Sequence, residues 1–216
     1  MLYERWRQIV REQGGECALR ELSSGRQWTF AEMARLAERA PAASQPMSFP
    51  RGHDAGFVFA VLQAWRSHSV VCPLEADQTA APVMSLPPAN CIHLKTTSAT
   101  TGAPRFVAFT AEQLAADAEN IVATMGLRPD WPNVAAISLA HSYGFSNLVL
   151  PLLLHGIPLV IAPSPLPEIF RQAINRAKVP DLTLPSVPAL WRAWHAAGVI
   201  PASFPNPTAL CLCLRA

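Results

Sequence analysis

The most informative segment of this sequence is Thr96-Thr-Ser-Ala-Thr-Thr-Gly-Ala-Pro-Arg105, whose first six positions carry five hydroxyl side chains. It lies between two strand-like runs at residues 91–95 and 106–109. Hydroxyl and backbone N–H groups in such a loop can converge on phosphate oxygens, and Gly102 permits close approach of the backbone. The Arg105 guanidinium can pair with a phosphate through two hydrogen bonds. Ordinary Ser- and Thr-rich turns share this composition, so the composition alone leaves both interpretations open.

Strand-like and helix-like segments alternate along the chain on both sides of this loop. Capping-box patterns at Thr29-Phe-Ala-Glu32 and Thr110-x-x-Gln113 indicate helix starts, as does Asp54 before apolar residues at helical spacing. Strands are predicted at residues 70–74, 134–139, 158–162, 182–184 and 210–214, a hairpin around 23–25, and helices at 2–10, 169–178 and 187–197. Such alternation is typical of an α/β fold with a largely parallel sheet flanked by helices.

The irregular, Pro- and Ala-rich stretch at residues 75–90 suggests a division of the chain. We predict an N-terminal subdomain over residues 1–90. Residues 91–216 then form an α/β subdomain that contains the phosphate-binding loop.

The composition is apolar for a water-soluble domain, with 50% hydrophobic and only 15% charged residues. The most apolar run, residues 148–162, contains Pro151, Gly156 and Pro158 and is shorter than the ~20 residues that a membrane helix needs. We therefore expect no membrane span and a cytoplasmic protein, part of whose surface is covered by more protein. The net charge of +2, with scattered Lys and Arg, indicates no nucleic-acid partner.

The cysteines show no spacing that is typical of a metal site or a disulfide framework. They are Cys17, Cys72, Cys91, Cys211 and Cys213, an odd number without a C-x-x-C pair. We predict reduced thiols and no protein metal site.

Residues 97–105 resemble the signature loop of the adenylate-forming (AMP-binding) superfamily, whose usual form is T-S-G-T-T-G-x-P-K. This superfamily includes acyl-CoA synthetases and nonribosomal-peptide adenylation domains. The matching positions are Thr97, Ser98, Thr100, Thr101, Gly102 and Pro104, with Arg105 in the place of the lysine. Ala99 stands where the family has glycine. This substitution bears on ATP affinity, because a Cβ would clash if the position needs positive φ or close approach to phosphate.

Three further segments resemble the same family in the same order. Trp28-Thr-Phe-Ala-Glu-Met33 is similar to the early T-F-A-E-L segment, and residues 61–74 resemble the helix-to-strand passage that ends in V-P-L. Ala140-His-Ser-Tyr-Gly-Phe145 resembles the P-x-x-H-x-x-G segment. The resemblance covers most of the chain and implies the N-terminal part of the adenylate-forming fold.

The function that this resemblance implies is ATP-dependent activation of a small carboxylic acid as an acyl-adenylate, with CoA or an acyl-carrier protein as the usual thiol acceptor. It implies that ATP phosphates, with Mg²⁺, bind to Thr97, Ser98, Thr100, Thr101, Gly102 and Arg105. It implies that the acyl pocket is bordered by His141, Tyr143, Gly144 and Phe145, with His141 as the candidate catalytic residue. Taken alone, His141 also fits an ordinary hydrogen-bonded histidine at a strand end.

Typical members continue with a Gly-rich turn, a Y-G-x-T-E segment, a ribose-binding aspartate and a mobile C-terminal domain with a catalytic lysine. None of these occurs in the sequence. We therefore expect a truncated member whose missing C-terminal half would be a partner and would carry the main Mg²⁺ ligand. Two hypotheses stay open, an incomplete acid–thiol ligase and a non-catalytic remnant that acts as a nucleotide-binding or interaction module. An unrelated α/β protein is a third.

Overall fold

The computed structural model describes residues 1–78, 87–96, 106–177 and 182–199 of the chain. Its strands are β1 (Cys17–Glu21), β2 (Arg26–Thr29), β3 (Met47–Ser48), β4 (Val70–Val71), β5 (His93–Thr96), β6 (Phe106–Phe109), β7 (Asn133–Ala135) and β8 (Leu159–Ile161). Its helices are α1 (Leu2–Gln13), α2 (Phe30–Arg39), α3 (Ala55–Arg66), α4 (Ala111–Met125), α5 (Ser142–Gly144), a π-helical turn (Phe145–Val149), α6 (Leu150–His155), α7 (Pro167–Ala177) and α8 (Pro188–Ala196).

The described strands form two four-stranded sheets, with the orders β2-β1-β8-β7 and β3-β4-β5-β6. Each sheet has two parallel pairs and one antiparallel pair, β1–β2 in the first sheet and β5–β6 in the second. The α/β fold with mostly parallel pairing is thus confirmed, although the strands form two sheets rather than one. Helix α3 contacts β1 of the first sheet and both β3 and β4 of the second. Because apolar residues cover most of its surface, this one helix can pack against both sheets.

Strands from either side of residue 90 pair with one another in both sheets. β1 pairs with β8, and β4 pairs with β5, in each case in parallel. The predicted subdomains at residues 1–90 and 91–216 therefore share both sheets, and their division stays a prediction.

The three predicted helix starts are confirmed by their capping hydrogen bonds. The Thr29 hydroxyl accepts from the Glu32 backbone N–H at 3.2 Å, and the Glu32 carboxylate accepts from the Thr29 N–H at 2.8 Å. Thr110 and Gln113 form the same box at the start of α4, and the Asp54 carboxylate accepts from the Phe57 N–H at 3.1 Å. These bonds satisfy N–H groups that have no partner within the helix.

Several strands are shorter than the sequence predicts. β4 covers only Val70–Val71 of the predicted 70–74, because Pro73 has no N–H to donate to a sheet. β7 covers Asn133–Ala135 of the predicted 134–139, and the predicted strand at 182–184 is reduced to an isolated bridge between Thr183 and Asn133. The predicted strand at 210–214 lies outside the described residues.

The largest apolar core joins α1, α2, α3 and the helical segment from Phe145 to Leu154. A second core lies beneath α7 and α8, where the Phe170 and Trp194 rings stack with centroids 4.1 Å apart. Among the described helices, none combines the length and the apolar character that crossing a bilayer would require.

Candidate active site

A cleft of about 700 Å³ lies between α4, the β5–β6 hairpin and the start of the helical segment that follows β7. Its lining residues are Lys95, Phe109, Gln113, Ala116, Asp117, Asn120, Ile121, His141, Ser142, Tyr143, Ser146 and Asn147. The cleft therefore contains two of the predicted acyl-pocket residues, His141 and Tyr143, and several polar residues that the sequence analysis did not select.

His141 caps the short helix α5 and has an exposed side chain. Its Nδ1 atom accepts a hydrogen bond from the Tyr143 backbone N–H at 3.2 Å. A neutral His141 ring that accepts at Nδ1 carries its proton on Nε2, so Nε2 is the donor that this residue can offer to a ligand. The capping role and a role at the cleft are thus compatible.

The other two predicted acyl-pocket residues pack inward. A Cβ added to Gly144 would lie 1.9 Å from the Ser138 carbonyl oxygen, so the turn after β7 can close only with glycine at this position. The Phe145 ring is fully buried and packs edge-on against Phe57, with centroids 6.4 Å apart. Gly144 and Phe145 therefore lie behind the residues that line the cleft.

A π-helical turn orients the residues at the floor of the cleft. The Leu150 N–H bonds to the Phe145 carbonyl, five residues earlier, instead of four. Pro151 follows and has no N–H, so the donor that an α-helix would direct to the Asn147 carbonyl is absent. The Asn147 side chain bonds back to the Tyr143 carbonyl at 2.8 Å. Such a π-turn is a departure from α-helical geometry that often marks functional sites.

Lys95 forms a chain of polar contacts with Ser146 and Asp117 inside the cleft. Its Nζ donates to Ser146 Oγ at 3.1 Å, and the Ser146 hydroxyl donates to Asp117 Oδ2 at 2.6 Å. Burial lowers the pKa of Lys95, and the charge of Asp117 opposes this effect. Sequence reasoning missed Lys95, although a signal was present: it is one of only two lysines in the chain and directly precedes the hydroxyl-rich loop.

His93 lies behind this chain of contacts, two residues before Lys95 on β5. Its ring is fully buried and lies over the Phe145 ring, with centroids 4.3 Å apart. Among the described residues, neither of its ring nitrogens has a hydrogen-bond partner. Burial, with a smaller contribution from the Lys95 charge, lowers the pKa of His93 to about 3. This histidine is therefore a neutral core residue at physiological pH.

The predicted phosphate-binding residues lie outside the described part of the chain. They are Thr97, Ser98, Thr100, Thr101, Gly102 and Arg105. The strands that flank them pair antiparallel, with Thr96 opposite Phe106. Thr96 and Phe106, the described residues on either side of this segment, are therefore adjacent to each other, next to Lys95.

No group of three His, Cys, Asp or Glu side chains in the described ranges is arranged to hold a metal ion. Of the cysteines in those ranges, Cys17, Cys72 and Cys91 are free thiols, while Cys211 and Cys213 lie beyond them. The prediction of reduced thiols stays a prediction.

Comparison with known proteins identifies related sequences and folds. The sequence profile of the family described as AMP-binding enzyme matches residues 58–208. Mycobacterium smegmatis MbtA, in its apo structure, is similar over 91% of this chain and 50% of its own, at 18% identity and a TM-score of 0.75. No curated protein sequence matches the chain.

Two further solved structures show the same fold. The inhibitor-bound N-terminal domain of Mycobacterium tuberculosis FACL13 is similar over 95% of this chain and 66% of its own, at 16% identity and a TM-score of 0.75. Bacillus subtilis O-succinylbenzoate coenzyme A synthetase (MenE), in complex with AMP, is similar over 92% of this chain and 65% of its own, at 15% identity and a TM-score of 0.75. The chain thus spans between half and two thirds of the length of these structures.

Proposed function

Because the chain belongs to the AMP-binding enzyme family, we propose that it serves to activate a small carboxylic acid with ATP. The substrate carboxylate attacks the α-phosphate of ATP, which yields an acyl-adenylate and releases pyrophosphate. The acyl group then passes to the sulfur of a thiol that gives up its proton, either CoA or the pantetheine of a carrier protein, and AMP is released. Since the chain spans only part of its solved relatives, we assign this activity to the chain together with the remaining part of the family's fold.

The observation that carries the proposal is the pairing of the strands that flank the hydroxyl-rich sequence. Residues 97–105 combine hydroxyl groups, Gly102 and Arg105, and β5 and β6 place the flanking residues Thr96 and Phe106 opposite each other, next to Lys95 of the cleft. In the proposed complex, residues 97–105 hold the ATP phosphates, and preorganised donors of this kind stabilise the charge that develops on the phosphate oxygens during adenylyl transfer. The acid occupies the adjacent cleft near His141 and Tyr143.

Mg²⁺ is proposed as the counter-ion of the ATP phosphates, as is usual for phosphate substrates. Such an ion uses one or two carboxylates together with phosphate oxygens and water, so it does not require a preformed cage of protein ligands. The proposed role of Mg²⁺ rests on the phosphate chemistry, because the described residues contain no metal-binding cluster.

Ala99 favours a second candidate function, a nucleotide-binding or interaction module without catalysis. It adds a Cβ to the loop at the position where the family pattern has glycine. If this position needs close approach to phosphate, the added Cβ weakens ATP binding. An Ala99→Gly variant discriminates between the two functions. The variant binds ATP more tightly than the unchanged chain only if the Cβ of Ala99 weakens ATP binding.

The test combines two measurements. ATP binding is titrated in the chain, in a Thr101→Ala, Arg105→Ala double variant and in a control, Arg35→Ala, whose side chain is exposed on α2. Losing a charge-assisted contact to phosphate should weaken binding about tenfold or more, whereas the control should not. ATP–pyrophosphate exchange with a panel of acids, by the chain joined to the remaining part of the family's fold, then tests adenylation. Unchanged ATP affinity in the double variant contradicts the assignment of the loop.

A further inference from the structure

We propose that Lys95, held by Ser146 and Asp117, binds the carboxylate of the acid substrate in the cleft. This role rests on the proposed function and gives it a residue that the family resemblance does not assign. The proposed ligand class is a small monocarboxylate whose charged end contacts Lys95.

The contacts of Lys95 leave it fixed in position and able to donate further hydrogen bonds. The Ser146 hydroxyl gives its only proton to Asp117, so its lone pairs face the Lys95 ammonium group. An ammonium group has three N–H donors, and the bond to Ser146 uses one of them. The Lys95 Nζ atom also lies 4.8 Å from the centroid of the Phe109 ring, which supports the cation from one side. A charged group anchored in this way is suited to orient a ligand.

The charges that line the cleft favour a ligand with a single negative charge. Lys95 is half-buried, and burial lowers its pKa while the charge of Asp117 opposes this effect. A carboxylate in direct contact with Lys95 would stabilise its charged form. A multiply charged phosphate would meet stronger repulsion from Asp117 than a single carboxylate does.

The walls of the cleft also favour a small acid. The leucines of the helical segment, Leu148, Leu150, Leu152, Leu153 and Leu154, are buried in the core and do not line the cleft. The segment instead presents His141, Tyr143, Ser146 and Asn147 to the cleft. The exposed His141 ring can hydrogen-bond a polar substituent of the ligand, and the described lining residues form no long apolar channel for an alkyl chain.

The small number of lysines allows a direct test. The chain has only Lys95 and Lys178, so protein labelled with [¹³C]lysine gives two Cε signals in an NMR spectrum, which a Lys95→Met variant assigns. Acetate and benzoate are titrated as carboxylate probes, acetamide and benzamide as neutral controls of similar shape, and inorganic phosphate as the competing anion. Ser146→Ala is the variant that removes the anchor.

We expect acetate or benzoate to shift the Lys95 signal and to raise its titration midpoint, while the Lys178 signal and the amide controls show no change. The affinity should fall about threefold or more in Ser146→Ala, in line with the loss of one hydrogen bond. A silent Lys95 signal, an equal response of Lys178, or a stronger response to phosphate than to carboxylate overturns the inference. An unchanged affinity in Ser146→Ala overturns the anchoring role.

The two proposals fail in different ways. If ATP binding depends on Thr101 and Arg105 but carboxylates do not shift the Lys95 NMR signal, only the role of Lys95 is overturned. A carboxylate response at Lys95 without any loop-dependent ATP binding overturns the proposed function, and the cleft then remains a carboxylate site of another kind.

Discussion

The side-chain amide of Asn133 donates a hydrogen bond to the main-chain carbonyl of Asn147 at 3.2 Å, and both residues are buried. This bond compensates for Pro151, which cannot supply the N–H that an α-helix would direct to that carbonyl. It also ties the first residue of β7 to the π-helical turn beneath the cleft.

Replacing Asn133 by alanine should lower the free energy of unfolding by about 1–3 kcal/mol, because a buried carbonyl loses its partner. Urea denaturation followed by circular dichroism measures this change. Pro151→Ala restores a backbone donor, so the cost of Asn133→Ala should be smaller in that background, as a double-mutant cycle would show. Equal costs in both backgrounds would contradict this explanation.

Gly144→Ala should destabilise the chain by about 1–3 kcal/mol or more, because overpacking forces the backbone to move. The added Cβ would lie 1.9 Å from the Ser138 carbonyl oxygen. Gly15→Ala is the matched control, since a Cβ there meets nothing within 4 Å. The measurement is the denaturation midpoint of each variant, and a similar effect of both substitutions would argue against the close approach at Gly144.

Local rules in the sequence predict much of this fold because they act over a few residues. Thr29, Asp54 and Thr110 each satisfy N–H groups three residues away, so their helix starts are visible without tertiary structure. Strand ends are less predictable, as at residues 182–184, where only Thr183 pairs, in a bridge with Asn133, because a strand continues only where a neighbour pairs with it.

The candidate site is only partly predictable for a related reason. His141 and Tyr143 lie in a recognisable sequence pattern, and both line the cleft. The contacts of Lys95 with Ser146 and of Ser146 with Asp117 join residues 51 and 29 positions apart. Sequence spacing cannot bring such residues together, since β5, α4 and the π-helical turn meet only in the folded chain.

Cys72 should resist alkylation in the native chain. Burial, together with the nearby Cys91, raises the pKa of Cys72 from 9.0 to about 11, and its side chain is fully buried. At pH below both values this shift lowers the thiolate fraction about a hundredfold. Iodoacetamide followed by peptide mass spectrometry should therefore label the partly exposed Cys17 before Cys72. Denatured protein is the control, and labelling of native Cys72 as fast as Cys17 would contradict the prediction.

His93 should make the fold sensitive to acid. Its pKa is about 3 in the folded chain, against an ordinary value of 6.5, so below pH 6.5 the unfolded chain binds a proton that the folded chain does not. The contribution of His93 to the free energy of unfolding is therefore fully present above pH 6.5. It is lost as the pH drops towards 3, by up to about 1.4 kcal/mol per pH unit. Burial lowers the pKa of His53 and His155 as well, which adds loss in the same direction.

A His93→Phe variant isolates this contribution, because it retains an aromatic ring against Phe145 and removes the titrating group. Between pH 6.5 and 5 it should lose about 2 kcal/mol less unfolding free energy than the unchanged chain, measured by urea denaturation at each pH. His195→Gln is the control, since His195 is exposed on α8. If the unfolding free energies of the unchanged chain and of His93→Phe fall equally with pH, the prediction is contradicted. His93 then takes up a proton in the folded state, and its ring nitrogens have hydrogen-bond acceptors there.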